Sequence, residues 1–268
     1  MNQCGADSGQ SQGKRIDEGS LLIGSLNKIT KVIAVMSGKG GVGKSSISSI
    51  LAANLSQNGY QVGVLDADIT GPSIAKAFGV KAGTCTASEY GLNPPLSKGG
   101  IKILSINLLL ENEDDPVVWR GPLIAGAIKQ FWEETNWGHL DYLVVDLPPG
   151  TGDAALTVLQ SLPVSGVVIV SSPQELSLMV VKKAIKMVKK MDINILGLIE
   201  NMSYVECPDC GKKIELFGNA SGERVSAEMS IPFLGSIAWD NQINKLMDAG
   251  EIEFYKKLNT VDKIVDLI

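Results

Sequence analysis

A glycine-rich segment between Gly38 and Ser45 is the first part of the sequence that could carry chemistry. It lies between an apolar run and a helical pattern, and it matches the spacing G-x-x-x-x-G-K-[ST]. Such glycines allow backbone N–H groups to surround phosphate oxygens at the positive end of the following helix. Lys44 can then supply charge to the β- and γ-phosphates, and the Ser45 hydroxyl can hold Mg²⁺. The segment therefore predicts a nucleoside triphosphate site formed by Gly38, Lys39, Gly40, Gly41, Val42, Gly43, Lys44, Ser45 and Ser46.

A competing pattern, G-x-G-x-x-G, is also present in this segment, and it is typical of loops that bind dinucleotides. Its glycines are Gly38, Gly40 and Gly43. Asp66 follows after about twenty residues, where that fingerprint has an acid. However, Lys44 and Ser45 have no purpose in a dinucleotide loop, and a second acid, Asp68, follows Asp66. The sequence therefore favours a triphosphate over a dinucleotide.

Three acids follow apolar runs and could serve the same site. Asp66 and Asp68 lie at the end of the run QVGVLDAD, and Asp146 lies near the end of the run DYLVVDL. An acid at the end of a buried strand beside a phosphate loop can hold Mg²⁺ through water. The Pro-Pro-Gly turn after Asp146 is placed to sense the γ-phosphate. Without the loop nearby, the same residues would indicate only the end of a strand and a turn.

Lys39 is an additional charge in the glycine-rich segment. It comes too early in the loop to serve the same phosphates as Lys44. It can instead reach a nucleotide on a second subunit and act there as a charge clamp. The loop therefore suggests that two copies of the chain act together.

Cys207 and Cys210 form a second candidate site, because cysteines at this spacing can direct both sulfurs at one metal. Gly211 permits N–H···S contacts, and the lysines that follow it favour the thiolate. One pair is half of a tetrahedral site, and the sequence has no second such pair and one histidine. Four ligands therefore require two copies of the chain. Thiolates suit zinc or an iron–sulfur cluster, and the spacing leaves both open, together with a redox disulfide or a surface turn.

Alternating apolar runs and helical patterns must position these residues. The runs are short, nearly continuous and rich in Val, Ile and Leu, which is typical of strands buried on both faces of a parallel sheet. The candidate strands begin at Lys31, Gln61, Ile101, Asp141, Gly166, Asn194 and Pro232. Candidate helices lie near residues 44–57, 123–134, 153–160 and 175–190. This order predicts an α/β fold with a doubly wound, mostly parallel sheet that binds ligands beyond the carboxyl ends of its strands.

Composition limits the classes of protein that remain. The chain has 268 residues, of which 44% are hydrophobic and 20% charged, so it can bury a core. A net charge of −5 argues against a protein that coats nucleic acid, and 4 Cys argue against a disulfide scaffold. The sequence has no apolar run of the roughly 20 residues that span a bilayer, and no signal peptide. We therefore expect a cytoplasmic protein with a flexible tail at 1–20 and one domain at 21–268.

Several motifs together resemble the deviant Walker A group of P-loop NTPases. They are the glycine-rich segment, the Asp66-Ala67-Asp68 motif and the run DYLVVDLPPGTGD. The group includes the MinD and ParA positioning ATPases, the nitrogenase iron protein and the Mrp/ApbC iron–sulfur carriers. Other features resemble the Mrp/ApbC branch specifically, and they lie at 71–73, 119–122, 200–204 and at the cysteine pair. The resemblance extends from about Lys31 to Gly250.

The resemblance implies an activity, ligands and partners. Members of this branch are homodimeric ATPases in which two cysteine pairs bridge a labile 4Fe–4S cluster, which is passed to apo-proteins. It also implies that Lys39, Lys44 and Asp68 are catalytic, with Asp68 positioning or activating the attacking water. Asp66 would organise the water shell of Mg²⁺. Asn201 would hydrogen-bond adenine, in a pocket lined by residues 232–235.

Some residues depart from the family pattern. The tail contains only Cys4, so the four-cysteine cluster site of the assembly-scaffold relatives is absent. The loop after Phe217 reads GNAS where relatives have more glycine, which affects the details of that loop. Cys85 matches no feature of the family, and we expect it to be a packing residue.

The main alternative is a MinD/ParA-like positioning ATPase in which a zinc knuckle is structural. A MinD-like protein would end in a basic amphipathic helix. Residues 251–268 place apolar side chains on one helical face, but acids outnumber lysines among them, which suits anionic lipid poorly. The lysines between 182 and 190 are typical of a solvated helix face. We therefore expect neither membrane nor nucleic acid as a partner, and expect apo iron–sulfur proteins as recipients.

Overall fold

The structure is a computed structural model, and it describes residues 27–68, 71–89, 91–108, 121–218 and 221–256. Some of the sequence-based expectations concern residues outside these ranges. They are the tail with Cys4, the pair Trp119 and Arg120, the pair Asn219 and Ala220, and the amphipathic segment beyond Lys256.

The central sheet has seven strands in the described ranges, and each corresponds to one of the apolar runs of the sequence. The strands are β1 (Lys28–Ser37), β2 (Val62–Asp66), β5 (Lys102–Ser105), β6 (His139–Asp146), β7 (Gly166–Ser171), β8 (Ile195–Glu200) and β11 (Phe233–Ser236). Their spatial order is β11-β8-β7-β1-β6-β2-β5, and every neighbouring pair is parallel. The predicted α/β class is confirmed, with β1 at the centre of the sheet.

Helices cover both faces of this sheet. They are α1 (Lys44–Gln57), α2 (Ile74–Ala77), α3 (Gly121–Glu133), α4 (Asp153–Ser161), α5 (Glu175–Lys190), α6 (Gly222–Met229) and α7 (Asn241–Ala249). Successive side chains of β1 alternate between two buried clusters. Ile33 and Val35 pack with α1 and α7, whereas Val32, Ala34 and Met36 pack with α4 and α5. Because both faces are buried, the strand is apolar at consecutive positions.

Two antiparallel hairpins and the short helices α2, α6 and α7 lie outside the sequence prediction. One hairpin pairs β3 (Thr86–Ser88) with β4 (Gly91–Asn93), and the other pairs β9 (Val205–Glu206) with β10 (Lys213–Ile214). Strands of two or three residues are too short to show a periodic pattern in the sequence. None of the helices in the described ranges combines the length and the apolar character that crossing a membrane would require.

The carboxyl edge of the sheet is lined with buried polar residues. Six of its strands end in Ser37, Asp66, Ser105, Asp146, Ser171 and Glu200, each at most 1% exposed. Asp66 pairs in register with Asp146 on one side and with Ser105 on the other. Buried polar groups destabilise a fold unless they are bonded, and here all but the Ser171 hydroxyl have a hydrogen-bond partner among the described residues. It is also the edge at which doubly wound sheets bind ligands.

Candidate functional site

The glycine-rich segment connects β1 to α1 at the carboxyl edge of the sheet, in the strand–loop–helix order that its pattern requires. Gly43 has a φ of 79°, and a Cβ at this position would lie 2.2 Å from Nδ2 of Asn201. A Cβ on Gly38 would lie 2.9 Å from the carbonyl carbon of Val180 in α5. Glycine is therefore required at both positions, because side chains there would collide with α5 and with the residue that follows β8.

Lys44, at the start of α1, pairs with Asp146 at the end of β6. Its Nζ lies 2.8 Å from Oδ2 of Asp146, and the two side chains are 6% and 0% exposed. The Ser45 hydroxyl donates to the same oxygen at 2.6 Å, and the Ser48 hydroxyl donates to Oδ1 at 2.6 Å. One ammonium and two hydroxyls thus compensate for the burial of this carboxylate. The oxygens of Ser45 and Asp146 are metal-ligand atoms of the kind that Mg²⁺ prefers.

Asp68 and Asp66 have different surroundings, although they are two positions apart. Oδ2 of Asp68 lies 3.7 Å from Nζ of Lys44, and Asp68 lines the cavity of this site. The Asp66 carboxylate instead accepts hydrogen bonds of 3.1–3.2 Å from the backbone N–H groups of Asp68, Ser73 and Ile74. Burial, followed by the nearby charge of Asp146, raises the pKa of Asp66 to about 7. Asp66 thus holds the backbone of the segment that contains Asp68, and Asp68 in turn lies close to Lys44.

A cavity of about 240 Å³ lies over the glycine-rich loop. Its walls comprise Ser37, Gly40, Gly41, Gly43, Lys44, Ser45, Ser46, Asp68, Ser73, Pro149 and Met247. Pro149 belongs to the Pro-Pro-Gly turn, so this turn adjoins the cavity as the sequence predicts. Met247 of α7 was not identified from the sequence, and its sulfur accepts a hydrogen bond of 3.0 Å from the Ser46 hydroxyl. A methionine in a helix gives no signal of this contact, because the same residue type commonly fills cores.

Lys39 contacts a different part of the fold. Its ammonium donates a hydrogen bond of 2.5 Å to Oε1 of Gln174, the residue immediately before α5. Within the described residues, the walls of the 240 Å³ cavity do not include Lys39. The structure therefore separates Lys39 from Lys44, in agreement with the early position of Lys39 in the loop.

Asn201 follows β8 and is 4% exposed. Its Nδ2 donates to the carbonyl oxygen of Val42 at 3.0 Å, so the side chain braces the glycine-rich loop. It also lines a narrow cavity of about 20 Å³, together with Ser46, Met202, Ala238, Trp239, Asp240, Ile243 and Asn244. Residue 232 precedes β11 and residues 233–235 lie within it, and none of these four lines this cavity. The expected contacts of Asn201 and residues 232–235 with adenine stay a prediction.

Cys207 and Cys210 occupy the turn of the β9–β10 hairpin. The hairpin closes through hydrogen bonds of 2.9 Å from the N–H of Cys207 to the carbonyl of Lys212 and from the N–H of Gly211 to that of Cys207. Both thiols are free, and Cys210 is exposed. Hydrogen bonds from the N–H groups of Asp209 and Cys210 and from the Cys210 thiol lower the pKa of Cys207. The turn therefore favours the thiolate that a metal would bind.

The cysteines are outside the cavity over the glycine-rich loop, and they lie beside an exposed apolar surface. Cys207 lines a groove of about 990 Å³ whose walls include Tyr204, Trp239 and Tyr255. Ile214, Leu216, Phe217 and Trp239 are 46%, 54%, 43% and 41% exposed. No group of three or more metal-ligating His, Cys, Asp or Glu side chains occurs in the part of the chain that the structure describes. A tetrahedral thiolate site at this hairpin therefore needs ligands from outside the described chain.

Cys85 lies apart from both sites. It is half-buried, and it packs against the two core clusters. Burial raises the pKa of its thiol, which disfavours the thiolate. The expected packing position of Cys85 is confirmed.

Comparisons with known proteins agree with this arrangement. A family model described as ParA, NUBPL iron-transfer P-loop NTPase, matches residues 28–268. The chain is 43% identical over 244 residues to an iron–sulfur cluster carrier protein of Clostridium perfringens, covering 88% of this chain and 86% of that protein. A nucleotide-binding protein of Archaeoglobus fulgidus, solved in complex with ADP, is 45% identical with a TM-score of 0.78, covering 88% of this chain and 93% of that one.

A more distant neighbour shares the fold alone. The cell-division ATPase MinD of Pyrococcus furiosus is 19% identical with a TM-score of 0.63, covering 89% of this chain and 96% of that one. The resemblance to the iron–sulfur branch of the deviant Walker A group is confirmed by the family match and by the two relatives above 40% identity. With residues 28–268 matched, this chain belongs to the family of NUBPL iron-transfer P-loop NTPases.

Proposed function

We propose that this chain is an ATP-hydrolysing carrier that holds a 4Fe–4S cluster between the cysteine pairs of a homodimer and transfers it to apo-proteins. The observation that carries the proposal is the free thiol pair on the β9–β10 hairpin, where hydrogen bonds lower the pKa of Cys207. The name of the Clostridium perfringens relative, an iron–sulfur cluster carrier protein, supports it.

The cysteine pair has the properties of a carrier rather than of a permanent site. Two thiolates from each of two chains complete a four-ligand set, and the turn leaves Cys210 exposed to a recipient. Transfer is a ligand exchange in which a recipient thiolate binds iron as the bond to a carrier thiolate breaks. The released thiolate of Cys207 or Cys210 then takes up a proton. No oxidant or reductant is required.

The loop and its acids supply the ATPase half of the proposal. The loop N–H groups and Lys44 bind the phosphates, so that Lys44 exchanges Asp146 for the β- and γ-phosphates. Ser45 and Asp146 hold Mg²⁺, which neutralises charge on the phosphates when it is bound. Asp68, 3.7 Å from Lys44, orients the attacking water, and Asp66 keeps the segment of Asp68 in place. Asn201 adjoins the base.

The dimer forms, in this proposal, through the face that carries the cysteines. Ile214 ends the hairpin and Leu216 and Phe217 follow it, and all three are exposed large apolar side chains that a second copy would cover. Lys39 leaves Gln174 and reaches the nucleotide of the partner. We also propose that residues 21–268 form one ATPase domain behind a flexible tail, that the protein is cytoplasmic, and that neither nucleic acid nor membrane is a partner.

Transfer of a cluster to a defined recipient tests this function. Protein loaded anaerobically with iron and sulfide is mixed with an apo-ferredoxin, and visible circular dichroism follows the appearance of the holo-ferredoxin. The wild-type chain and Cys85→Ser should load and transfer, whereas Cys207→Ser/Cys210→Ser should do neither. Tightly held zinc without a cluster would contradict the proposal and would favour a positioning ATPase with a structural knuckle.

A further inference from the structure

We propose that Glu200 is a positioning residue that transmits nucleotide occupancy to the cysteine hairpin. Glu200 ends β8, one residue before Asn201, and its side chain is absent from the cavities described above. The inference rests on the nucleotide site and the cysteine pair of the proposed function. In this proposal the buried Glu200 side chain connects the nucleotide site mechanically to the cysteine pair.

The carboxylate of Glu200 bonds the backbone at Ser221 and Gly222, where the chain returns after the β9–β10 hairpin. It is 0% exposed, and Oε1 accepts hydrogen bonds from the N–H groups of Ser221 at 3.0 Å and Gly222 at 2.8 Å. These groups lie at the N-terminus of α6, where the helix dipole and the N–H groups stabilise a negative charge. In the described ranges no lysine or arginine forms an ion pair with Glu200, so backbone groups compensate its burial.

The same residue holds the chain where it leaves for the hairpin. The Ser203 hydroxyl donates to the carbonyl oxygen of Glu200 at 2.7 Å and to Oε2 at 3.2 Å. The segment between Ser203 and Ser221 contains both cysteines, so one side chain bonds both of its ends. The carbonyl oxygen of Glu200 also accepts a hydrogen bond of 2.9 Å from the N–H of Ile237. This bond connects Glu200 to the segment that leads to Trp239.

The link to the nucleotide loop passes through the next residue. Asn201 donates to the carbonyl of Val42 at 3.0 Å, and a Cβ on Gly43 would collide with its Nδ2 at 2.2 Å. Asn201 is thus bonded to the loop at Val42 and lies close to it at Gly43, so a shift of the loop on phosphate binding displaces Asn201 in this proposal. A displacement of Asn201 is carried by the peptide bond to Glu200, and from there to both ends of the cysteine segment.

Alkylation of the cysteines measures this coupling without any cluster. In a Cys4→Ser/Cys85→Ser background, iodoacetamide labelling of the remaining cysteines is timed with and without a non-hydrolysable Mg-ATP analogue. We expect the nucleotide to change the labelling rate by at least about fivefold. In Glu200→Ala the ratio should fall to near one while the analogue still binds. Glu200→Gln, which keeps an acceptor oxygen for the two N–H groups, should retain most of the effect.

Glu253 provides a matched control. It is also a buried acid, 5% exposed, and its Oε2 accepts from the Ser97 hydroxyl at 2.7 Å and the N–H of Gly99 at 2.9 Å. Glu253→Ala removes a comparable buried acceptor that bonds Ser97 and Gly99 rather than an end of the cysteine segment, and it should keep the wild-type ratio. A full ratio in Glu200→Ala, a lost ratio in Glu253→Ala, or no nucleotide effect in the background chain would overturn the proposal.

Separate measurements cover a Glu200 variant that does not fold and a chain that does not load a cluster. If Glu200→Ala does not fold, hydrogen exchange of the Ser221 and Gly222 amides is measured in the wild-type chain, and exchange that nucleotide leaves unchanged overturns the link. Because the alkylation uses the metal-free chain, a failure to load a cluster would contradict the carrier function alone. A labelling ratio that is insensitive to Glu200, in a chain that does transfer clusters, would contradict the positioning role alone.

Discussion

The ammonium of Lys44 and the hydroxyl of Ser45 share one oxygen of Asp146, at 2.8 Å and 2.6 Å. Lys44 and Ser45 come about a hundred positions before Asp146 in the sequence. The parallel pairing of β6 with β1 and β2 brings the three residues together. Without nucleotide, Lys44 and Ser45 are therefore both held at Asp146. Because the charges of Lys44 and Asp146 are both buried, their contact is important for stability as well as for binding.

We predict that Lys44→Ala destabilises the chain. Removing the ammonium leaves the Asp146 carboxylate buried with only the hydroxyl donors, and breaking a buried pair typically costs about 3 kcal/mol or more. Lys44→Met/Asp146→Asn should recover most of the loss, because neither charge remains. Urea unfolding followed by far-ultraviolet circular dichroism measures both variants.

An exposed ion pair serves as the control for this prediction. Lys98 pairs with Glu251 at 3.0 Å, with side chains 59% and 43% exposed. Lys98→Ala should change the free energy of unfolding by less than about 1 kcal/mol. An equal effect in Lys44→Ala and Lys98→Ala would contradict the assigned role of the buried pair.

Lys39 should be required for hydrolysis and dispensable for binding. If it stabilises charge on the partner's nucleotide, Lys39→Ala should lower the ATPase rate at least about 100-fold, as the loss of a transition-state donor does. ATP affinity measured by calorimetry should hardly change. Gln174→Ala removes the hydrogen-bond partner of Lys39 and should retain activity, because it frees the ammonium.

The opposite pattern would locate Lys39 in its own nucleotide site. A Lys39→Ala chain that loses ATP affinity as strongly as Lys44→Ala does would have this meaning. A variant that hydrolyses ATP at the wild-type rate would instead show that Lys39 has no role in hydrolysis, and neither result fits an action across the dimer.

Cys207 should be alkylated at lower pH than Cys85. Hydrogen bonds lower the pKa of the Cys207 thiol, whereas burial raises that of Cys85. The thiolate is the reactive form, so iodoacetamide should label Cys207 first as the pH rises from neutral. Peptide mass spectrometry after timed quenching gives both rates in one sample.

The neighbouring cysteine tests the cause of this shift. Cys210→Ala removes the thiol that hydrogen-bonds Cys207, so the labelling curve of Cys207 should move to higher pH. A curve that stays in place would show that Cys210 makes no contribution, and identical curves for Cys207 and Cys85 would contradict the hairpin geometry.

Asp66 should make the nucleotide-free chain less stable as the pH rises. Its pKa is raised from 3.8 to about 7, so the folded chain binds a proton more readily than the unfolded chain between these values. The free energy of unfolding therefore loses the contribution of Asp66 as the pH rises from about 4 to about 7. Asp66→Asn should have a shallower fall in Tm over this range, measured by calorimetry.

Ser105 offers a control that does not titrate. Its hydroxyl donates to the Asp66 carboxylate at 3.3 Å, and Ser105→Ala should retain the pH slope of the wild type. An Asp66→Asn chain whose Tm falls with pH as steeply as that of the wild type would contradict the shifted pKa.

Much of the fold follows from the sequence, because burial on both faces makes the strands apolar throughout. The central strand β1 is such a run, and the loop after it has a spacing that only a strand–loop–helix context explains. Lys44, Ser45 and Asp146 could be assigned to one site for this reason. Their mutual hydrogen bonds could not be predicted, since they depend on side-chain rotamers in three elements.

The remaining contacts depend on tertiary packing that a one-dimensional pattern does not record. Glu200 ends an apolar run like Asp146 does, and only the position of α6 reveals that it caps a helix. Asn201 bonds the carbonyl of Val42, and its position after an apolar run does not indicate this contact. Met247 reaches the loop because α7 packs against α2 beside it, and nothing in its residue type indicates this contact.

In the proposed carrier, two copies of the chain share one cluster through Cys207 and Cys210. Native mass spectrometry of the anaerobically loaded chain measures this, with Cys207→Ser/Cys210→Ser as the control. We expect a dimer whose mass exceeds that of two chains by one 4Fe–4S cluster, and a cysteine variant without this added mass. A monomer that carries its own cluster, or a dimer that carries zinc alone, would refute the shared site.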